Sequence, residues 1–247
     1  MKLGLISDIH GNLFALEAVL AELDGEELDS LICLGDVAVG PQGPECVARI
    51  RELDCPVIMG NWDAWFLDGI PPAADEIAQR LAEIGAWWAD RLSEADRAFM
   101  RTFRLSLELE LDLEERALCF HGSPRSFDDQ IFATTPDAEL TEMLDGHRAS
   151  LLVGGHTHQQ LLRRHRRSLF LNPGSVGMPF TDWWTARVRI APWAEYAILE
   201  ANDGRLRADL RRTSYDVDAL LELSLASGMP HARWWAESWL PELSFAE

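Results

Sequence analysis

No run of about 18 apolar residues occurs in the chain, which argues against a membrane-spanning helix. Its start, MKLGLISDIHGN, offers only a short apolar stretch before charged residues, so no secretory leader is expected. Cysteine is scarce, four residues in 247, with no CxxC pair or other metal-ligand spacing. Cys33, Cys55 and Cys119 lie in or beside apolar, strand-like runs and Cys46 in a helix-like run. They read as buried, reduced thiols of a cytoplasmic protein. Positive charge is scarce as well: 22 Lys and Arg stand against 41 Asp and Glu, a formal charge of -19. Such a field repels polyanions and argues against a nucleic-acid polymer as partner, because that affinity comes mainly from neutralising phosphates. A small phosphorylated substrate stays open, since bound cations reverse the local field. The basic cluster Arg163-Arg164-His165-Arg166-Arg167 reads as a solvated hairpin turn between two apolar runs, with an anion patch as the alternative. Internal repeats, low-complexity linkers and composition breaks are also missing, so a single domain over 1–247 is expected.

What is present is a large apolar fraction, 47%, enough to bury a substantial core. Short continuous apolar runs at Leu3–Ile6, Leu31–Leu34, Val57–Met59, Ala117–Phe120, Leu151–Val153 and Leu169–Leu171 read as buried strands. Helical spacing over Asn12–Leu23 and Pro44–Leu53 separates the first three. Strand, helix, strand, helix, strand argues for a layered α/β architecture with parallel crossovers. A helical insertion is expected over about 73–104. Leu105, Leu107, Leu109, Leu111 and Leu113 then alternate like a half-buried strand. Asn202-Asp203-Gly204 signals a hairpin, Val217–Ala226 a helix, and Trp234–Phe245 an aromatic tail.

The polar residues fall where these strands end. Asp8 and His10 follow the first, Asp36 the second, Asn61 the third, His121 the fourth, and His156 and His158 the fifth. In open α/β sheets the loops at the carboxyl ends of strands meet in one crevice. Four His, two Asp and one Asn are too many for one tetrahedral zinc and suit two metals sharing a carboxylate. In extended backbone the two imidazoles of GHTH would point to one side and Thr157 to the other. His147, His165 and His231 lack this context and read as surface or structural.

The series DIHGN, GD, GN, HG and GHTH resembles that of the calcineurin-like metallophosphoesterases over roughly Met1 to Gly177, with a weaker match through Tyr196–Glu200. NPGSVG at Asn172–Gly177 is similar to the small bacterial and archaeal branch, which includes phosphodiesterases. The resemblance implies a four-layer αββα sandwich of two mixed sheets flanked by helices, with the metals at one edge. It implies Asp8, His10, Asp36 and His158 on one metal, and Asp36 bridging to a second held by Asn61, His121 and His156. Mixed N and O ligands suit two divalent ions among manganese, iron, cobalt, nickel and zinc, with manganese favoured. A metal-bridging hydroxide would be the nucleophile. Asn61 would serve as ligand and as donor to the developing charge.

Two departures from the family pattern stand out. Where many relatives read GNH and an acid, this chain has GNWD, and the indole of Trp62 donates no useful proton at neutral pH. Trp62 either stacks on a substrate ring or packs at the rim. After Gly177 comes Met178-Pro179-Phe180 and an aromatic segment, about 178–195. Its Trp183, Trp184 and Trp193 either form a flap beside the metals or pack a hairpin or a subunit contact. Arg125 is a candidate phosphate contact. The expected function is a dinuclear phosphodiesterase acting on a small phosphate ester, with a homo-oligomer open. The alternatives are a monoesterase or protein phosphatase, a nucleotide pyrophosphatase, or a non-catalytic scaffold of the same fold.

Overall fold

The protein is described from a computed structural model over residues 1–111, 115–144, 146–147, 149–181 and 188–239. In chain order the elements are β1 (Lys2–Ile6), α1 (Leu13–Leu23), β2 (Ser30–Cys33), α2 (Gly43–Leu53), α3 (Asn61–Asp68), α4 (Glu76–Ala89) and α5 (Glu94–Met100). They continue as β3 (Leu107–Glu110), β4 (Arg116–Cys119), α6 (Asp137–Met143), β5 (Leu151–Val153), β6 (Gln160–His165), β7 (Ser168–Pro173), β8 (Trp193–Asn202), β9 (Arg205–Ser214), α7 (Val217–Ala226) and α8 (Ala232–Ala236).

Two mixed sheets form, one ordered β2-β1-β8-β9 and the other β3-β4-β5-β7-β6. The β1–β2, β4–β5 and β5–β7 pairs are parallel and the rest antiparallel. Period-two alternation decides which sheet face each residue joins. Leu3 and Leu5 of β1, Ala197 and Leu199 of β8, Ala117 and Cys119 of β4, and Leu151 and Val153 of β5 face inward, filling the space between the sheets. Ile6, Tyr196 and Ile198 face outward and pack under the buried stripe of α1, Ala15, Leu16, Val19 and Leu23. On the far side, Leu140 and Met143 of α6 cover Leu118, Phe120, Leu152 and Phe170. The order of layers is helix, sheet, sheet, helix, the expected αββα sandwich.

Local chemistry sets the element ends. Asn12 caps α1 by accepting from the Ala15 N–H at 3.0 Å, and Pro44 opens α2. Asp203 (φ 50°) and Gly204 (φ 69°) make the two-residue turn between β8 and β9, as the Asn-Asp-Gly signal required. The basic cluster forms the turn from β6 into β7, with Arg166 in the left-handed region.

Several expectations need correction. Val57–Met59 is not a ladder strand. Val57 and Ile58 make isolated parallel bridges, to Cys33 and Arg104 respectively, because Pro56 and Gly60 close the run on both sides. Only Leu107–Glu110 of the alternating leucines is a strand: Leu105 is 71% exposed, and Leu113 lies outside the described residues. The helical insertion resolves into α4 and α5. Trp183 and Trp184 lie outside the described residues, as does the tail beyond Trp239. The segment that brackets the pair returns antiparallel, with Phe180 bridged to Ile190, and Trp193 opens β8. No helix among the described residues is long and apolar enough to cross a membrane.

Candidate metal centre

The loops after β1, β2, β4 and β5 are stitched together by their backbones. Asp8 N–H donates to Gly35 O at 2.9 Å, His10 N–H to Asp36 O at 2.9 Å and Gly155 N–H to His121 O at 2.8 Å. Asp8, His10, Asp36, His156 and His158 all have positive φ, between 50° and 67°. Such conformations are uncommon for residues other than glycine and cluster at functional sites. They also correct the reading of GHTH: the two imidazoles converge through left-handed turns rather than an extended strand. Thr157 is buried and accepts from the Asn172 amide at 3.0 Å.

All seven residues singled out by sequence meet in one place. Asp8 turns one oxygen, Oδ2, to the Ser7 hydroxyl (2.6 Å) and the His156 N–H (3.0 Å). Its other oxygen, Oδ1, is buried without a hydrogen-bond partner and lies 3.2 Å from His158 Nε2. His158 Nδ1 donates to Met178 O at 2.7 Å, and His121 Nδ1 donates to Leu34 O at 2.7 Å. Those carbonyls only accept, so in the neutral rings Nε2 is left as a bare lone pair, the arrangement that orients ligating imidazoles. An orphaned carboxylate oxygen facing an imidazole lone pair at 3.2 Å fits a shared cation.

Two nests of donors result. In the first, the Nε2 atoms of His10 and His158 lie 3.0 Å apart. Two ligands at about 2.1 Å on one ion and at right angles have roughly that separation. In the second, Asn61 Oδ1 lies 3.1 Å from both His121 Nε2 and His156 Nδ1. Asp36 Oδ2 stands between, 3.7 Å from His10 Nε2 and 3.7 Å from His121 Nε2. Asp8 Oδ1 is 3.9 Å from the same two atoms but closer to His158, which assigns it to the first nest. The donor set therefore fits divalent ions.

The electrostatics agree. Burial holds His10 down to about 4 and His156 down to about 3, so both imidazoles are neutral, the ligand form, at pH 7. Burial, with the nearby charges of Asp63 and Asp8, pushes the Asp36 carboxyl well above its ordinary range. Burial opposes ionisation of Asp8 too, but the surrounding imidazoles, His158 foremost, hold its carboxyl well below the ordinary range. Carboxylates this crowded and dry need a positive partner.

Three supporting features escaped the sequence reading or were only partly seen. Asp63 is fully buried; its Oδ1 accepts from Val37 N–H (3.0 Å) and Ala38 N–H (3.3 Å), and its Oδ2 from Gly60 N–H (3.3 Å). It ties the Asp36 loop to the start of α3, and its signal was the acid three residues after Gly60, a capping-box spacing. The NPGSVG segment braces both His loops. Asn172 Nδ2 donates to Gly155 O at 2.7 Å, and Ser175 Oγ donates to Asp8 O at 2.7 Å. Glu195, buried behind this segment, accepts from the Trp193 indole (3.1 Å) and pairs with Arg212 (3.0 Å).

Trp62 lines the same cavity as the metal-site residues, edge-on to Trp65 with ring centroids 4.9 Å apart. Arg125 is half exposed and pairs with Asp129 at 2.6 Å; it does not line that cavity. His165 is buried beside Thr141 and Asp137, and His231 bonds Glu83 at 2.8 Å on the surface.

The two mixed sheets carry two candidate metal groups, Asp8-His10-His158 and Asp8-Asp36-His121, in the loops that follow their strands. Residues 1–203 match the calcineurin-like phosphoesterase superfamily domain, and the chain belongs to that superfamily. It is 26% identical to an uncharacterized protein of Methanocaldococcus jannaschii, over 98% of this chain and 97% of the relative. It is similar to the crystal structure of a metallophosphoesterase from Sphaerobacter thermophilus, at 25% identity over 94% of this chain and 96% of that one, with TM-score 0.71. A hypothetical protein from Pyrococcus horikoshii shares the fold, with TM-score 0.77 and 21% identity over 95% of this chain and 97% of that one.

Proposed function

We propose that this chain is a dinuclear metal-dependent phosphodiesterase acting on a small phosphate ester in the cytoplasm. The observation that carries the reading is the position of Asp36 Oδ2, 3.7 Å from the nearest imidazole nitrogen of each nest. A carboxylate oxygen so placed suits a bridge between two divalent ions; mixed N and O donors suit manganese, iron, cobalt, nickel and zinc alike, and manganese is the ion proposed. Bound ions would supply a nucleophile from water near neutral pH and polarise the phosphoryl oxygens.

The chain's own residues do the rest. Asp8, His10, Asp36 and His158 would hold one ion, and Asp36, Asn61, His121 and His156 the other. The Asn61 amide nitrogen donates to a phosphoryl oxygen as charge develops there. Trp62 offers no proton to a leaving group. Diesters with acidic leaving groups are therefore favoured over monoesters of alcohols, which depart only with a proton. Four free thiols, three of them buried, suit a reducing cytoplasm.

The test is metal-free protein reconstituted with each ion in turn, assayed for bound metal and for turnover. Two ions per chain and faster cleavage of bis-p-nitrophenyl phosphate than of phosphoserine or a sugar phosphate are expected. One ion per chain refutes the dinuclear reading, and the reverse ranking makes the protein a monoesterase.

A further inference from the structure

Beside the metal-site residues lies an open-sided cavity of about 490 Å³. His10, Asp36, Asn61, His156 and His158 form one end of it, so an ester whose phosphorus sits at those residues projects a substituent into the remainder. The other walls come from separate parts of the chain. Trp62 and Trp65 of α3, Ile84 and Trp88 of α4, and Met178 and Phe180 of the following segment supply them. Away from the metal-site end, the polar groups are indole N–H and the Gln130 amide. Asp36 is the single charged side chain among the described lining residues.

The space exists because α4 turns small side chains toward it. Ala78 and Ala82, four residues apart, share one face of the helix and line the cavity. Gly85 continues that face, and a Cβ there would come within 2.5 Å of Trp62 Cζ3, so the glycine lets the indole approach the helix closely. At the mouth Leu81 is 37% exposed. Contiguous apolar surface left open to water beside polar, convergent groups marks a ligand site.

We propose that this cavity receives the apolar alkyl or aryl substituent of the phosphoester, making the enzyme selective for esters of hydrophobic alcohols over nucleotides and sugar phosphates. The proposal deepens the phosphodiesterase reading and rests on it. A second phosphate or a ring of hydroxyls in the same space would lose water and find few partners, which is costly. A hydrocarbon loses nothing there, and each methylene it buries is worth roughly two- to fourfold in binding.

The experiment uses a series of alkyl p-nitrophenyl phosphates, methyl, butyl and hexyl, with the manganese-loaded full-length protein. The leaving group is constant, so only the substituent varies. Binding of the matching alkyl phosphonates is followed in parallel by tryptophan fluorescence, which reports on the cavity without requiring turnover. kcat/KM and phosphonate affinity should both climb roughly two- to fourfold per methylene until the space is filled. The hexyl ester should outrun thymidine 5′-p-nitrophenyl phosphate. In Ala82→Phe, and separately in Ala78→Leu, the hexyl-to-methyl ratio should fall towards one, with folding checked by circular dichroism. Flat phosphonate binding, or a nucleotide ester preferred over the hexyl ester, overturns the proposal. Affinity that climbs without turnover of any ester keeps the apolar site and overturns the enzymatic reading instead.

Discussion

The backbone N–H of Trp62 donates to Asp36 Oδ1 at 2.9 Å, so one oxygen of this carboxylate is fixed to the first turn of α3. Its other oxygen is left to face His10 and His121 at equal distance. Asp36→Asn keeps the shape and the bond from Trp62, and removes the charge where two cations would be closest. Metal content is expected to fall by at least one ion per chain and hydrolysis to be lost almost entirely. The metal-free variant should melt no lower than metal-free wild type. Burial and the neighbouring Asp63 and Asp8 charges raise the folded pKa of Asp36, so its ionisation opposes folding above the unfolded value, a penalty present at pH 7. Calorimetry with and without chelator checks both halves; wild-type metal content and turnover would sink the bridging role.

Asp63 acts one step behind. Its carboxylate accepts from three backbone N–H groups, those of Val37, Ala38 and Gly60, while its own backbone N–H donates to the Asp36 carboxylate. Asp63→Ala leaves buried donors unpaired, at about 1–3 kcal/mol for each that water does not reach. A melting temperature lower by several degrees is expected, since about 1 kcal/mol moves a chain of this size by roughly 2–4 °C. Because the Asp36 loop loses its anchor, metal affinity should fall as well, and Asp63→Asn, which keeps an acceptor for Val37 and Ala38, should recover part of both. A variant that melts earlier but binds metal as tightly as wild type would confine Asp63 to stability.

The ligand-bearing loops were legible because each interrupts an apolar run with a polar residue, and chain order alone puts them at strand ends. The sandwich was legible from the same runs, together with the resemblance. What stayed hidden is conformational or tertiary. Nothing in the letters of Asp8, His10 or His158 announces a left-handed backbone, because only packing and hydrogen bonds from neighbouring loops hold them there. The helix that begins at Asn61 is only eight residues long, too short for periodicity to separate from a loop. The cavity between α3 and α4 depends on Gly85 meeting Trp62, a contact across 23 positions that no local pattern encodes.

The cysteines give an inexpensive check of the core. Burial pushes the thiols of Cys33 and Cys46 far up, that of Cys119 to about 12 and that of Cys55 to about 11. A raised thiol pKa means less thiolate at a given pH, and thiolate is the reactive form. At pH 8 the native protein should react with a thiol reagent at Cys55 alone, and there slowly, because only about one part in a thousand is ionised. All four should react in denaturant. Rapid reaction of more than one thiol in the native state would contradict the packing of β2, α2 and β4 described above.

The departure at Trp62 from the GNH pattern that the resemblance implies can be tested by placing a histidine there. The indole is edge-on to Trp65 and Phe66, with ring centroids 4.9 and 6.0 Å away, and backs onto Gly85. Trp62→His removes part of this packing, so some stability is lost. It also sets an imidazole one residue from Asn61, within the cavity that the metal-site residues share. General-acid assistance is worth about 10²–10⁴-fold where geometry is right. A graft without its supporting hydrogen bonds should recover only a part of that. The gain should be confined to poor leaving groups such as alkoxides, because p-nitrophenolate departs without a proton. Dialkyl phosphates and bis-p-nitrophenyl phosphate assayed on one variant separate proton donation from a general change in the cavity. Equal gains on both, or losses on both, would mean that position 62 does not face the leaving group, and the indole would then be a wall for the substituent alone.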